Sequence, residues 1–259
     1  MTSGASNALR VGCVRYLNAQ PLIHGWLGEV TFDHPAVLCR QLAAGDLDVA
    51  LVSSFEFLRN PVYSIVDDVA VAADGPVHSV FVAHTRDIDA LEEIALDPAS
   101  LTSVNLLRCM LAEQQLRATL VPDQDEAISP TRGRLLIGDQ AIRFRERHEN
   151  GYRFWDLGAE WKRATGLPFV FALWLVRPEA IGQRELANSL RARRDANLAG
   201  LEKVIRVQQD FPAEFCAFYF RDCLRFHLGD AEKQGLLTFR SQCQKHGILP
   251  PNSTPLRLI

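Results

Sequence analysis

The sequence predicts an α/β protein of two lobes with a ligand cleft between them. Three observations predict it. Strand-like and helix-like segments alternate from Val11 as far as Val176, the segments after Pro178 read as helical, and two long apolar strands near Val80 and Val170 are each suited to carry the chain between lobes. Alternation of this kind is βαβ punctuation and implies a largely parallel sheet. With 259 residues, 47% of them hydrophobic, the chain can bury a sizeable core as one large domain or two of ordinary size.

Taken in order, the apolar run Val11 to Val14 leads into a helix from about Pro21. Val30 to Phe32 leads into the amphipathic segment Ala36 to Ala44, and Val49 to Val52 into a helix starting near Ser54. Val80 to Ala83, Ile94 to Leu96, Leu116 to Val121, Leu135 to Ile137 and Phe169 to Val176 supply the remaining strands. Between Arg184 and Gln209, Leu186, Leu190, Leu198, Leu201, Val204 and Ile205 recur at near-helical spacing among charged residues, which predicts one long surface helix. Helices over Pro212 to Leu224 and Ala231 to His246 complete an all-α carboxyl-terminal third. The aromatic residues there (Phe215, Phe218, Tyr219, Phe220, Phe226) read as core filling rather than a cofactor box. The lobes expected are residues 1–84 with 176–259, and residues 85–175, joined so as to form a hinged cleft.

Composition narrows the partners. The 28 basic and 31 acidic side chains give a net charge of −3 with no long run of one sign, so the electrostatic footprint of a nucleic-acid binder is missing and a small-molecule partner is expected. Met1 to Ala8 carry neither a basic segment nor a following apolar one, and no run of about 18 apolar residues occurs, so a cytosolic protein without membrane partners is expected. The six cysteines have no C-x-x-C spacing and read as reduced core residues. His24, His34, His84, His148, His227 and His246 lack metal-ligand spacing, and neither a Gly-rich phosphate loop nor G-x-S-x-G occurs. No metal and no cofactor is expected, and the oligomeric state is left open.

The polar turn Arg15-Tyr16-Leu17-Asn18-Ala19-Gln20-Pro21-Leu22 follows directly on the first apolar run. It places Asn18 where a strand ends and a helix begins, the position at which open α/β sheets bind ligands. Three further junctions share the pattern: Ser53-Ser54 before Phe55-Glu56, Ser100-Leu101-Thr102-Ser103 before Val104-Asn105, and Gly138-Asp139 before Gln140-Ala141. Helices starting there expose unpaired N–H groups that attract carboxylates. Ser53 and Glu56 fit a capping box, and Asp139 reads as an ordinary N-cap. Thr102-Ser103 brings two hydroxyls to one helix start, more than capping requires. Ser79 follows the turn Asp74-Gly75-Pro76-Val77-His78 at the head of an apolar strand.

These residues resemble a known family. Tyr16-Leu17-Asn18-Ala19-x-Pro21-Leu22, Gly45-Asp46-Leu47-Asp48, Asp74-Gly75-Pro76-Val77, Thr102-Ser103-Val104, Leu136-Ile137-Gly138-Asp139-Gln140-Ala141, and Asp156-Leu157-Gly158-x-x-Trp161 through Thr165 to Ala172 resemble, in order, the chorismate dehydratases of the futalosine route to menaquinone. The resemblance implies the type II periplasmic-binding-protein fold and loss of water from chorismate to give 3-[(1-carboxyvinyl)oxy]benzoate. It points to Asn18 and Ser79 as the residues nearest the chemistry and to Thr102 and Ser103 as anchors for a carboxylate. Tyr16, Ser54, Val104 and Asp139 join them as candidate substrate-binding residues; Arg15 contacts either a substrate carboxylate or only the surface. The base is either the substrate's own enolpyruvyl carboxylate or, less favoured, His78 or Asp139. Tyr16-Leu17-Asn18 separates the chain from the sister 1,4-dihydroxy-6-naphthoate synthase, which shares the fold. A cytosolic, non-catalytic binding protein for small carboxylates is the rival from another class.

Overall fold

Apolar runs too short to stand alone are gathered into two five-stranded sheets, as the computed structural model shows for residues 9–96, 101–124, 127–148 and 150–259. Met1 to Ala8 and Ser100, on which two of the expectations above bear, lie outside the described residues. The chain opens with β1 (Val11–Cys13), a 3-10 turn (Leu17–Ala19), α1 (Gln20–Ile23), β2 (Val30–Phe32), α2 (Pro35–Ala44), β3 (Val49–Ser53), α3 (Ser54–Arg59) and β4 (Ser64–Ala73). It continues through β5 (Val80–His84), β6 (Glu93–Leu96), α4 (Leu101–Glu113), β7 (Thr119–Pro122), β8 (Arg132–Ile137), α5 (Gly138–Arg147), β9 (Arg153–Asp156) and α6 (Leu157–Thr165). It returns through β10 (Phe169–Val176), α7 (Gln183–Ala199), α8 (Leu201–Arg206), α9 (Ala213–Phe218), a π-helical turn (Tyr219–Cys223) and α10 (Asp230–Lys245).

The first sheet runs β2-β1-β3-β10-β4 and the second β7-β6-β8-β5-β9. Both are mixed rather than largely parallel. β1 pairs in parallel with β2 and β3, and β6 with β7 and β8, but β10 runs antiparallel to β3 and β4, and β5 antiparallel to β8 and β9. The reason is positional. β5 and β10 enter their sheets from the side at which β8 and β3 end, so Val80 pairs with Ile137 and Ala172 with Ser53. Each of these two strands therefore starts where its neighbour ends and runs back along it.

The same topology moves the expected lobe boundaries. Val80–His84 lies within the second sheet, not the first, and Phe169–Val176 lies within the first, not the second. The chain crosses in the Asp74-Gly75-Pro76 turn and through α6 with the segment after it, so neither long strand itself spans the two sheets. The predicted helix over 184–209 breaks at Gly200 into α7 and α8, and the one over 212–224 changes to a π turn at Tyr219. The strand expected from Leu116 starts only at Thr119, because Gln115 adopts a left-handed φ of 56° and Leu116 N–H closes on the Leu111 carbonyl at 2.9 Å.

β4 and β9 were not foreseen. In β4 the pair Asp67-Asp68 interrupts the apolar alternation, and the fold absorbs it as an irregularity in the ladder with β10, Asp68 taking a φ of 61°. The Asp68 carboxylate then receives the buried Arg194 of α7 at 2.9 Å and His227 at 3.0 Å. Leaving a buried guanidinium unpaired is strongly destabilising, so this contact fixes α7 on the sheet.

The main apolar cluster runs through both sheets, and a second, smaller one gathers Phe81, Ala83, Leu136 and Ala141 on the second sheet. The aromatic centre of the main cluster joins Trp161 of α6, Phe169 of β10 and Phe239 of α10, with Phe169 and Phe239 centroids 5.0 Å apart and Trp161 edge-on at 5.2 Å from Phe169. All six cysteines are buried and free of disulfides. Among the described residues no helix is long and apolar enough to cross a membrane.

Candidate active site

The site begins with a carboxylate that ties down the first crossing. Asp156 caps α6, accepting from Ala159 N–H at 3.0 Å. The same carboxylate accepts from Val77 N–H at 3.1 Å and from His78 N–H at 2.9 Å. Gly158 lets the crossing turn lie against α6: a Cβ there would stand 2.5 Å from the Gly75 carbonyl oxygen. Held this way, His78 adopts a φ of 62°, a strained value for a residue with a side chain, and Ser79 follows at the head of β5. The Ser79 carbonyl accepts from Gly138 N–H at 2.8 Å, which joins the crossing to the start of α5.

Opposite Ser79, the 3-10 turn after β1 carries Asn18. Its first N–H, that of Leu17, donates to Asp139 at 2.9 Å. Asp139 was expected to cap its own helix; instead Ile137 occupies the N-cap of α5, and Asp139 caps the turn belonging to the other sheet. Burial raises the Asp139 carboxyl above its ordinary range. The Tyr16 ring lies against Gly138, where a Cβ would stand 3.3 Å from it, and Gly138 has a φ of 60°. No hydrogen bond to another described residue occupies the Asn18 amide.

The third wall joins α3 to α4. Thr102 Oγ1 lies 2.5 Å from Ser53 Oγ and 3.3 Å from Ser54 Oγ, and it accepts from Phe55 N–H at 3.2 Å. Ser54 Oγ donates to the Val170 carbonyl at 2.7 Å. The expected capping box does not form: Ser53 makes no capping hydrogen bond, because its hydroxyl is engaged by Thr102, and Glu56 pairs with Arg59 at 2.5 Å. Ser53 and Thr102 have two hydroxyl protons between them and one short bond to fill. The other proton is left for an acceptor nearby, Ser54 Oγ or a ligand.

Tyr16, Asn18, Ser53, Ser79, Thr102 and Ser103 line one cleft of about 70 Å³, with Val14, Leu51, Val71 and Phe171 among its apolar walls. Four strand-to-helix junctions of the sequence, at Asn18, Ser53, Thr102-Ser103 and Gly138, thus meet at a single cleft. The first turn of the 13-residue α4 borders it through Thr102 and Ser103, and a helix start favours negative charge. Among the described lining residues there is no Asp, Glu, His, Lys or Arg. The described residues also hold no cluster of His, Cys, Asp and Glu suited to a metal.

Four expected site residues stand back from the cleft. Ser54 is fully buried behind Thr102, and half-buried Val104 packs on the core. Asp139 acts through Leu17, and Arg15 is exposed with its guanidinium 4.9 Å from the centre of the Phe32 ring. His78 faces a different cavity, edge-on to Phe218 at 5.0 Å. Burial and the nearby Arg145 lower its pKa from 6.5, so it is neutral at pH 7. From the sequence, Ser53 and Gly138 stand at junctions suited to a carboxylate, but Ser53 reads chiefly as a capping residue and neither is singled out as a substrate-binding residue.

A family model described as menaquinone biosynthesis matches residues 9–245. The curated chorismate dehydratase of Thermus thermophilus is 31% identical over 253 residues, covering 88% of this chain and 93% of the relative. Among solved structures, protein AF1704 from Archaeoglobus fulgidus superposes with a TM-score of 0.72 at 16% identity, over 93% of this chain and 98% of that one. The periplasmic aliphatic sulphonate binding protein SsuA of Escherichia coli gives a TM-score of 0.61 at 13% identity, over 94% and 88%. These likenesses show a two-lobe fold of the periplasmic-binding-protein type, as the sequence implied.

Proposed function

The chain belongs to the menaquinone-biosynthesis family that includes the chorismate dehydratases, and from that premise we propose that it removes water from chorismate to give 3-[(1-carboxyvinyl)oxy]benzoate. The observation that carries the reading is a cleft rich in neutral donors and empty, among its described lining residues, of any side chain able to take a proton from carbon. The ring proton beside the ether oxygen leaves, its electrons pass through the ring toward the ring carboxylate, and the neighbouring hydroxyl departs with its bonding pair. Proton and hydroxide together make the water lost, and the ring becomes aromatic.

Amides and hydroxyls are poor bases but good donors. The base in this proposal is therefore the substrate's own enolpyruvyl carboxylate, oriented by Asn18, and an intramolecular base of this kind can be worth an effective concentration of about 10⁵ M or more. The α4 start with Thr102 and Ser103 holds the ring carboxylate as negative charge grows on it. Ser79 donates at the reacting edge. Neither His78 nor Asp139 is favoured as base, since neither lines the cleft.

The test is to mix the protein with chorismate and follow aromatic product by absorbance, beside Asn18→Ala. Turnover that falls at least a hundredfold in the variant, with substrate binding retained, supports the role of Asn18; equal turnover removes it. Binding without turnover by the wild type favours the carboxylate-binding protein instead, and turnover only of the cyclic futalosine-derived substrate favours the sister synthase.

A further inference from the structure

Ser79 has a partner that no motif announces. Tyr219, 140 residues away, is 1% exposed and donates its phenolic proton to Ser79 Oγ at 2.6 Å. Its ring stacks on Phe215 with centroids 5.7 Å apart and planes 15° from parallel, and it does not line the cleft. It opens the π-helical turn that follows α9, and turns of this kind often accompany functional sites because they re-aim one side chain without breaking the helix.

A count of protons gives the arrangement a direction. The phenol has one proton and spends it on Ser79 Oγ. Ser79 Oγ makes no other hydrogen bond with a described residue, so its own proton is left for an acceptor in the cleft that Ser79 lines. Burial raises the Tyr219 pKa, so the phenol remains a donor throughout the working pH range. A donor feeding a second donor also polarises it, which strengthens the outer bond.

We infer that Tyr219 is a positioning residue: its hydrogen bond fixes the Ser79 hydroxyl in one orientation, with the serine proton directed at the substrate atom that gains negative charge. The inference rests on the dehydratase reading for which atom that is, but not for the orientation of Ser79. Tyr219→Phe removes one oxygen and keeps the stacked ring. The expected result is a fall in kcat of about tenfold to a hundredfold with KM within about twofold, below the 10² to 10³ typical of deleting a donor outright. Ser79→Ala and the double variant Ser79→Ala/Tyr219→Phe are expected to share one kcat, because Tyr219 has nothing to act through once Ser79 is gone.

An unchanged kcat in Tyr219→Phe overturns the inference, and so does a loss of the same size in the Ser79→Ala background. A crystal structure of each protein supplies the readout that needs no turnover: one Ser79 rotamer in the wild type and several in Tyr219→Phe support positioning, while a single shared rotamer refutes it. A wild type inert toward chorismate sinks the dehydratase reading and leaves the rotamer comparison to decide the role of Tyr219.

Discussion

Replacing Gly158 by alanine adds one methyl group at the tightest point between the crossing turn and α6. The new Cβ would stand 2.5 Å from the Gly75 carbonyl oxygen and 3.2 Å from Val77 Cβ. Both neighbours are parts of the backbone or fixed to it, so the turn must retreat by about half an ångström or more to reach tolerable contact. Alanine gains up to about 1 kcal/mol over glycine in a helix, whereas overpacking costs roughly 1–3 kcal/mol. The net effect is a destabilisation of about 1 kcal/mol. The effect on turnover is larger, because the retreating segment includes Val77 and His78 and therefore Ser79, and a misplacement approaching 1 Å can cost 10²-fold. A tenfold or greater loss of kcat is expected, with most of the thermal stability kept. Gly151→Ala is the control, since no heavy atom lies within 4 Å of its added Cβ. Steady-state turnover with a thermal melt reads both quantities. Wild-type kcat and melting temperature in Gly158→Ala would refute the claim that α6 sets the position of Ser79.

Asp156→Ala leaves the N–H groups of Val77, His78 and Ala159 without their acceptor. The expected cost is about 3 kcal/mol in urea denaturation, and a loss under 1 kcal/mol would show that this carboxylate does not hold the crossing. His78 has its pKa lowered from 6.5 by burial and by Arg145, with Asp156 opposing. A histidine so depressed contributes stability that is present above pH 6.5 and is lost as pH falls through the lower, folded-state pKa. His78→Asn, which suits the left-handed φ, should therefore lose less stability than the wild type between pH 6.5 and the acid side; parallel stability profiles would contradict this.

The alternation of short apolar runs revealed β1 through β3, β5, β6, β8 and β10, because each carries its β-branched residues together and ends at a polar turn. β4 escaped notice because Asp67 and Asp68 break its pattern, and the pairing of Asp68 with Arg194 and His227 and of Asp67 with Lys233 explains why they are tolerated. Sheet direction is not a local property: the antiparallel insertion of β5 and β10 follows from where the chain crosses, and no window of sequence holds that information. At the site, Asn18, Ser79, Thr102 and Ser103 stood out as short polar groups at strand and helix ends, and all four line one cleft. Ser53 resembled a capping residue because Glu56 follows at the right spacing, and a hydroxyl from α4 took precedence. Tyr219 looked like one aromatic residue among several. Its hydrogen bond spans too much sequence for spacing to reveal.

The central claim is that neutral donors on Asn18, Ser79 and the start of α4 meet around a doubly charged ring. A crystal structure with an unreactive chorismate analogue tests it most directly. The ring carboxylate is expected at Thr102 and Ser103, the side-chain carboxylate beside Asn18, and Ser79 Oγ within hydrogen-bond distance of the ligand. An analogue bound elsewhere, or with its ring carboxylate turned away from α4, would contradict it.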